Sequence, residues 1–156
     1  MNALVPDTLI RHPQGCTVSA EVAINADADA VWALVGNFAG FNKFIPALAR
    51  IDMLGEGPRS LRIKHFADGE NIVVEQLNSH DSQARRMTWS LIYTTLDIGN
   101  LWASMEVFAD GPGRSRALWT IQGEPAKGGA EALPGFKQFL QGFADDAMGN
   151  ARKLFE

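Results

Sequence analysis

Apolar residues recur at helical spacing over the last two dozen positions of the chain. Phe136, Leu140, Phe143, Ala147, Ala151 and Leu154 fall on one side of a 3.6-residue helix, with Gln138, Gln141, Asp145, Arg152 and Glu156 opposite. The pattern predicts one amphipathic helix from Leu133 onward. Pro134 then sits in the first turn, where a missing N–H is no loss, and Arg152 and Lys153 complement the dipole at the far end. At about 1.5 Å per residue such a helix is roughly 35 Å long, so a large apolar surface must receive it.

Upstream the period shortens to two. Thr17 to Asn25 alternates, with Val18, Ala20, Val22 and Ile24 on one face. Asn25-Ala26-Asp27 offers caps for a short helix over Ala28 to Val35, and a helical turn over Phe38 to Phe44 runs into Pro46. Six more strands follow at short intervals: Leu48 to Leu54, Ser60 to Phe66, Ile72 to Ser79, Arg86 to Tyr93, Leu101 to Ala109 and Arg114 to Gly123. Residues 124–132 read as a linker to the helix. A long antiparallel meander with one amphipathic helix must bury that helix on one sheet face, which defines an α+β fold in two layers. Twist should curl seven strands around the helix and leave a cavity between them.

Strand parity predicts which side chains face that cavity. A three-residue hairpin loop, Ala67-Asp68-Gly69, pairs Phe66 with Glu70 and sets Leu61 opposite Glu75 and Ile63 opposite Val73. Leu61, Ile63 and His65 then share the inner face with Val73, Glu75 and Leu77, and Arg62 and Lys64 point outward. By the same alternation Met87, Trp89, Leu91, Leu101, Ala103, Met105, Val107, Ala117, Trp119 and Ile121 point inward, opposite Phe136, Leu140 and Phe143.

Composition narrows the function classes. With 156 residues, 46% of them hydrophobic and 21% charged, the chain suits a single globular domain over residues 16–156 preceded by an N-terminal arm over residues 1–15. The net charge of −4 and pI near 5.3 oppose nucleic-acid binding. No apolar run is long enough to span a membrane, the first residues lack a signal-peptide pattern, and the single Cys16 cannot form an internal disulfide. A cytoplasmic protein is the expectation. Gly55-Glu56-Gly57-Pro58 has no following lysine and is not a phosphate loop, and His12 and His80 lack partners at metal-ligand spacing. No metal and no cofactor are expected.

The run Ala30-Val31-Trp32-Ala33-Leu34-Val35-Gly36-Asn37-Phe38 resembles the polyketide cyclase/dehydrase branch of the START-like helix-grip superfamily. So do Phe44-Ile45-Pro46, Asp68-Gly69, Val73-Val74-Glu75-Gln76-Leu77 with Asp81, and Trp119. The likeness spans roughly residues 17–155 and extends more distantly to the plant abscisic acid receptors and the birch pollen allergen family. It implies a helix-grip fold, a seven-stranded curved antiparallel sheet around a long C-terminal helix, with two short helices between strands one and two. It also implies a deep apolar pocket with Glu75 as a ligand-facing acid.

Glu75 is therefore the leading candidate for proton transfer, with His65 beside it. Desolvation among Trp89, Trp119 and Leu61 is expected to raise the Glu75 pKa; a structural carboxylate tied to Arg59 or a backbone amide is the alternative. Leu61, Ile63, Val73, Leu77, Trp89, Leu101, Ala103, Met105, Trp119, Phe136, Leu140 and Phe143 are the candidate substrate contacts. Three functions fit: binding of a small hydrophobic or aromatic molecule of polyketide, lipid or isoprenoid type; cyclase/dehydrase chemistry in the same pocket; or partner binding, including a possible homodimer, through the outer helix face, where Gly135, Gly142 and Gly149 recur every seven residues.

Overall fold

A computed structural model describes residues 15–156, so the predicted N-terminal arm and His12 lie outside the described residues except for Gly15. β1 (Cys16–Ile24) leads into α1 (Ala28–Val35) and a 3-10 segment (Phe38–Lys43). Then follow β2 (Leu48–Leu54), β3 (Leu61–Phe66), β4 (Ile72–Asp81), β5 (Arg86–Thr94), β6 (Ile98–Ala109), β7 (Ser115–Pro125) and α2 (Gly129–Lys153). The strands form one antiparallel, curved sheet in the order β1-β7-β6-β5-β4-β3-β2. Pairing of β1 with β7 returns the start of the domain to its last strand, and α2 lies over these two strands. This is the α+β helix-grip architecture.

α2 starts one turn earlier than its periodicity indicates, because β7 continues to Pro125 and Gly128, at φ 86°, makes the tight reversal before Gly129. Pro134 consequently lies in the second turn. The buried stripe is Phe136, Leu140, Ala144, Ala147, Met148 and Ala151, whereas Leu154 lies past the helix end and is exposed. Gly123 of β7 lets the helix come close: a Cβ there would stand 3.2 Å from both Leu140 Cδ1 and Phe136 Cε2.

β3 and β4 pair one residue out of the register expected from the sequence. Arg62 lies opposite Glu75 and Lys64 opposite Val73. Phe66 N donates to Asn71 O, so the loop has four residues instead of three, and the Asp68 carboxylate holds it by accepting from Glu70 N at 2.8 Å and Asn71 N at 2.9 Å. A slip of one residue turns every side chain of a strand over. Arg62 and Lys64 are thus inside, 0% and 5% exposed, and Leu61, Ile63 and His65 are on the outer face. His65 Nε2 is 2.9 Å from Asp52 Oδ2 across the β2–β3 ladder, far from the pairing with Glu75 that the three-residue loop implied.

The close helix–sheet approach is testable. Gly123→Val should lower stability by about 1–3 kcal/mol through overpacking against Phe136 and Leu140, measured by urea denaturation, whereas Gly142→Ala, where nothing lies within 4 Å, should not.

Candidate functional site

Aromatic rings divide the space between sheet and helix into a filled part and an open part. The 3-10 segment inserts Phe41 edge-on against Trp89 of β5 and Trp119 of β7, at ring distances of 5.5 and 5.9 Å, and Phe44 stacks behind it at 4.8 Å. Phe38 to Lys43 thereby backs Trp89 and Trp119 and does not itself line the cavity. Phe143 of α2 meets the other side of Trp119 at 5.9 Å. Beyond these rings lies a cavity of about 280 Å³, equivalent to about nine waters at about 30 Å³ each. It is just below the roughly 300–1,000 Å³ usual for ligand pockets.

Of the residues assigned to a pocket from sequence, Val73, Glu75, Trp89, Leu101, Trp119, Leu140 and Phe143 line this cavity. Leu77, Ala103 and Met105 are buried in the surrounding core, and Phe136 borders an adjoining groove that shares Leu96 and Phe139 with the cavity. Leu61, Ile63 and His65 are not part of it, since they lie on the opposite sheet face. Residues the parity argument missed include Phe66, Ile98, Phe139 and above all Lys64. A signal was present: an inward carboxylate facing only apolar neighbours would be unpaired, and a register bringing Arg62 and Lys64 to Glu75 removes that cost.

The polar part of the wall is one ion cluster. Arg62 Nε donates to Glu75 Oε1 at 2.8 Å, Nη2 lies 2.8 Å from the same oxygen without hydrogen-bond alignment, and Lys64 Nζ is 3.1 Å from it. Arg62 Nη1 donates to Phe38 O at 2.8 Å, and its guanidinium lies 3.8 Å from the Phe38 ring centre and 4.1 Å from that of Phe41. Arg62 is thus tied to the 3-10 segment, and Glu75 and Lys64 border the cavity. The partners of Glu75 are these two cations, not Arg59.

Two cations share one carboxylate, so the cluster carries an excess positive charge. Burial opposes the Glu75 charge, but Lys64 and Arg62 outweigh it and hold the carboxyl below its ordinary value, opposite to the rise expected from desolvation alone. Burial pulls the Lys64 pKa down; Glu75 works against that pull, and Arg62 adds to it. Glu75 is therefore ionised at neutral pH and has no proton to donate. His80, the other histidine considered, donates from Nε2 to Gly36 O at 2.8 Å and packs on Trp32. Among the described residues no three potential ligands cluster as a metal site would require.

A family model described as polyketide cyclase / dehydrase and lipid transport matches residues 15–156. The chain belongs to that family. Solved structures agree on the fold. An uncharacterized protein from Bacillus thuringiensis superposes with a TM-score of 0.78 at 20% identity, over 90% of this chain and 98% of that one. The Zhui aromatase/cyclase from a Streptomyces gives 0.70 at 16% identity, covering 88% and 94%. Norcoclaurine synthase from Thalictrum flavum, solved with dopamine and hydroxybenzaldehyde, gives 0.67 at 15%, covering 89% and 85%. A comparison with curated protein sequences found no match. No helix among the described residues is long and apolar enough to cross a membrane, and Gly135, Gly142 and Gly149 face open space.

Glu75→Gln should cost about 3–5 kcal/mol at neutral pH, because it leaves two buried cations without a counter-charge. The Glu75 carboxyl titrates below its ordinary 4.5 in the folded state, so the folded state binds fewer protons than the unfolded one in that range. Its contribution is complete above about pH 4.5 and is lost as pH falls through the folded value. Urea denaturation across pH should show the gap between wild type and Glu75→Gln closing below pH 4.5.

Proposed function

We propose that this protein binds a small, mainly hydrophobic molecule carrying an anionic group, with the anion at Lys64 and the apolar body against Trp89, Trp119, Leu140 and Phe143. The observation that carries this reading is the ion cluster: an excess positive charge bordering an otherwise apolar cavity. In a low-dielectric wall an unbalanced cation attracts an anion far more strongly than it would in water. The volume suits a compact body of one or two rings. The match to a family of cyclases, dehydrases and lipid transport proteins supports a small-molecule role in general terms.

A second reading is cyclase/dehydrase-type chemistry at the same wall. It draws on the ionised state of Glu75 and its contact with Lys64. A carboxylate held charged can take a proton from a carbon beside a carbonyl, and the adjacent ammonium can stabilise the enolate oxygen that results. The roles then differ from a neutral Glu75 acting as acid with His65: Glu75 is the base, Lys64 supplies the stabilising charge, and His65 is on the far side of the sheet.

Naphthoate and its neutral counterpart naphthalene methanol separate charge recognition from simple apolar binding. Isothermal titration should show naphthoate binding wild type at least about tenfold more tightly than the alcohol, and Lys64→Met should abolish that preference. The substitution leaves a balanced Arg62–Glu75 pair, so the fold should persist. Equal affinity of wild type for acid and alcohol would overturn the proposal. Naphthoate affinity should also fall as pH rises to values below the ordinary lysine range, because burial lowers the pH at which Lys64 loses its proton.

A further inference from the structure

Four buried side-chain polar atoms among the described residues have no hydrogen-bond partner: Ser60 Oγ, Arg62 Nη2, Ser115 Oγ and Trp119 Nε1. Arg62 Nη2 still has its ion-pair contact with Glu75, and the two serine hydroxyls can rotate. Trp119 Nε1 has neither recourse. An indole N–H is a donor only, with a direction fixed by the ring. That ring is clamped by Phe41 and Phe143, both edge-on at 5.9 Å, and by Trp89 at 6.1 Å. Its cross-strand neighbours on β1 and β6 are Ala20 and Met105, which offer no side-chain oxygen. Trp32 shows the contrast, since its Nε1 donates to Ser82 Oγ. Of the four atoms, only Trp119 Nε1 belongs to a side chain that lines the cavity.

We infer that Trp119 Nε1–H is a recognition donor for a ligand oxygen, and that the ligand is accordingly an oxygenated ring acid, with a carbonyl oxygen remote from its anionic group. This rests on the reading of the cavity as the site of an anionic ligand. Buried donors in folded proteins nearly always find an acceptor, and the ring that carries this one is part of the cavity wall. The two donors come from well-separated strands. Lys64 is on β3 and Trp119 on β7, with β4, β5 and β6 between them. Neighbouring strands are about 4.8 Å apart, so curvature of the sheet brings the two residues to one small cavity from different walls. A ligand held by its anion at Lys64 and by a carbonyl at Trp119 has one orientation. An acid lacking the carbonyl can rotate about its anionic end and leaves the indole donor unpaired, which is how a hydrogen-bonding site rejects a deoxygenated analogue.

Tetralone carboxylate and tetralin carboxylate differ by the ketone oxygen and serve as probes. Isothermal titration of wild type should show the tetralone acid binding about five- to tenfold more tightly. In Trp119→Phe, which keeps an aromatic ring and removes the N–H, that ratio should fall to about one while the tetralin acid keeps its affinity within about threefold. Through-bond assigned NMR of wild type supplies a readout that does not depend on the variant folding: the Trp119 indole proton should move downfield with the tetralone acid and stay in place with the tetralin acid. An equal preference in wild type and Trp119→Phe, or equal indole shifts with both probes, overturns the inference. If the tetralin acid binds and Lys64→Met weakens it while wild type does not discriminate between the two acids, the donor role of Trp119 fails and the anion site stands. If neither acid binds wild type, the anion site fails and this inference with it.

Discussion

Glu75 holds two cations at a single carboxylate oxygen in a wall that is otherwise hydrocarbon and aromatic. Charges so placed are stable only while each has its counter-charge and its hydrogen bonds. Much of the neighbouring structure follows from that requirement. β3 and β4 are locked in the register that presents Arg62 and Lys64 to Glu75. The 3-10 segment must also sit where the Phe38 carbonyl accepts from Arg62 and the Phe38 and Phe41 rings cover the guanidinium. A stretch of chain far from β3 in sequence is thus fastened to it by one side chain, and the rings it carries pack behind Trp89 and Trp119 of the cavity wall.

The cavity results from uneven filling between two curved layers. Phe41, Trp89 and Trp119 pack edge to face in the middle of the sheet, and small residues on α2 and Gly123 beneath it draw the helix down at one end. The carboxylate that neutralises the buried cations leaves Lys64 at the cavity wall sharing it with Arg62.

Membership of the polyketide cyclase/dehydrase and lipid transport family and the likeness to an aromatase/cyclase and to norcoclaurine synthase place the chain in a fold that hosts varied chemistry. Function on such a fold depends on which polar groups break its apolar lining. Here the charged side chains in that lining are Glu75 and Lys64.

The order and kind of the elements were legible in the amino-acid sequence, since hydrophobic period and turn residues are local properties. α1 and β2 have the boundaries their patterns indicate, and seven strands with a terminal helix emerge from alternation alone. The inward positions of β5, β6 and β7 could also be read, because on each of them one face is plainly more apolar than the other. β3 was different. Leu61, Ile63 and His65 on one face and Arg62 and Lys64 on the other made the apolar row look like the inner one, and the loop admitted either three residues or four. That choice belongs to the tertiary structure. It is made by the Asp68 carboxylate, which closes the longer loop, and by the attraction of two cations for a carboxylate on the next strand. Strand periodicity gives no weight to a buried charge whose counter-charge is on the same wall, yet that pairing reverses the apparent polarity of β3 and puts Lys64, not His65, beside the cavity.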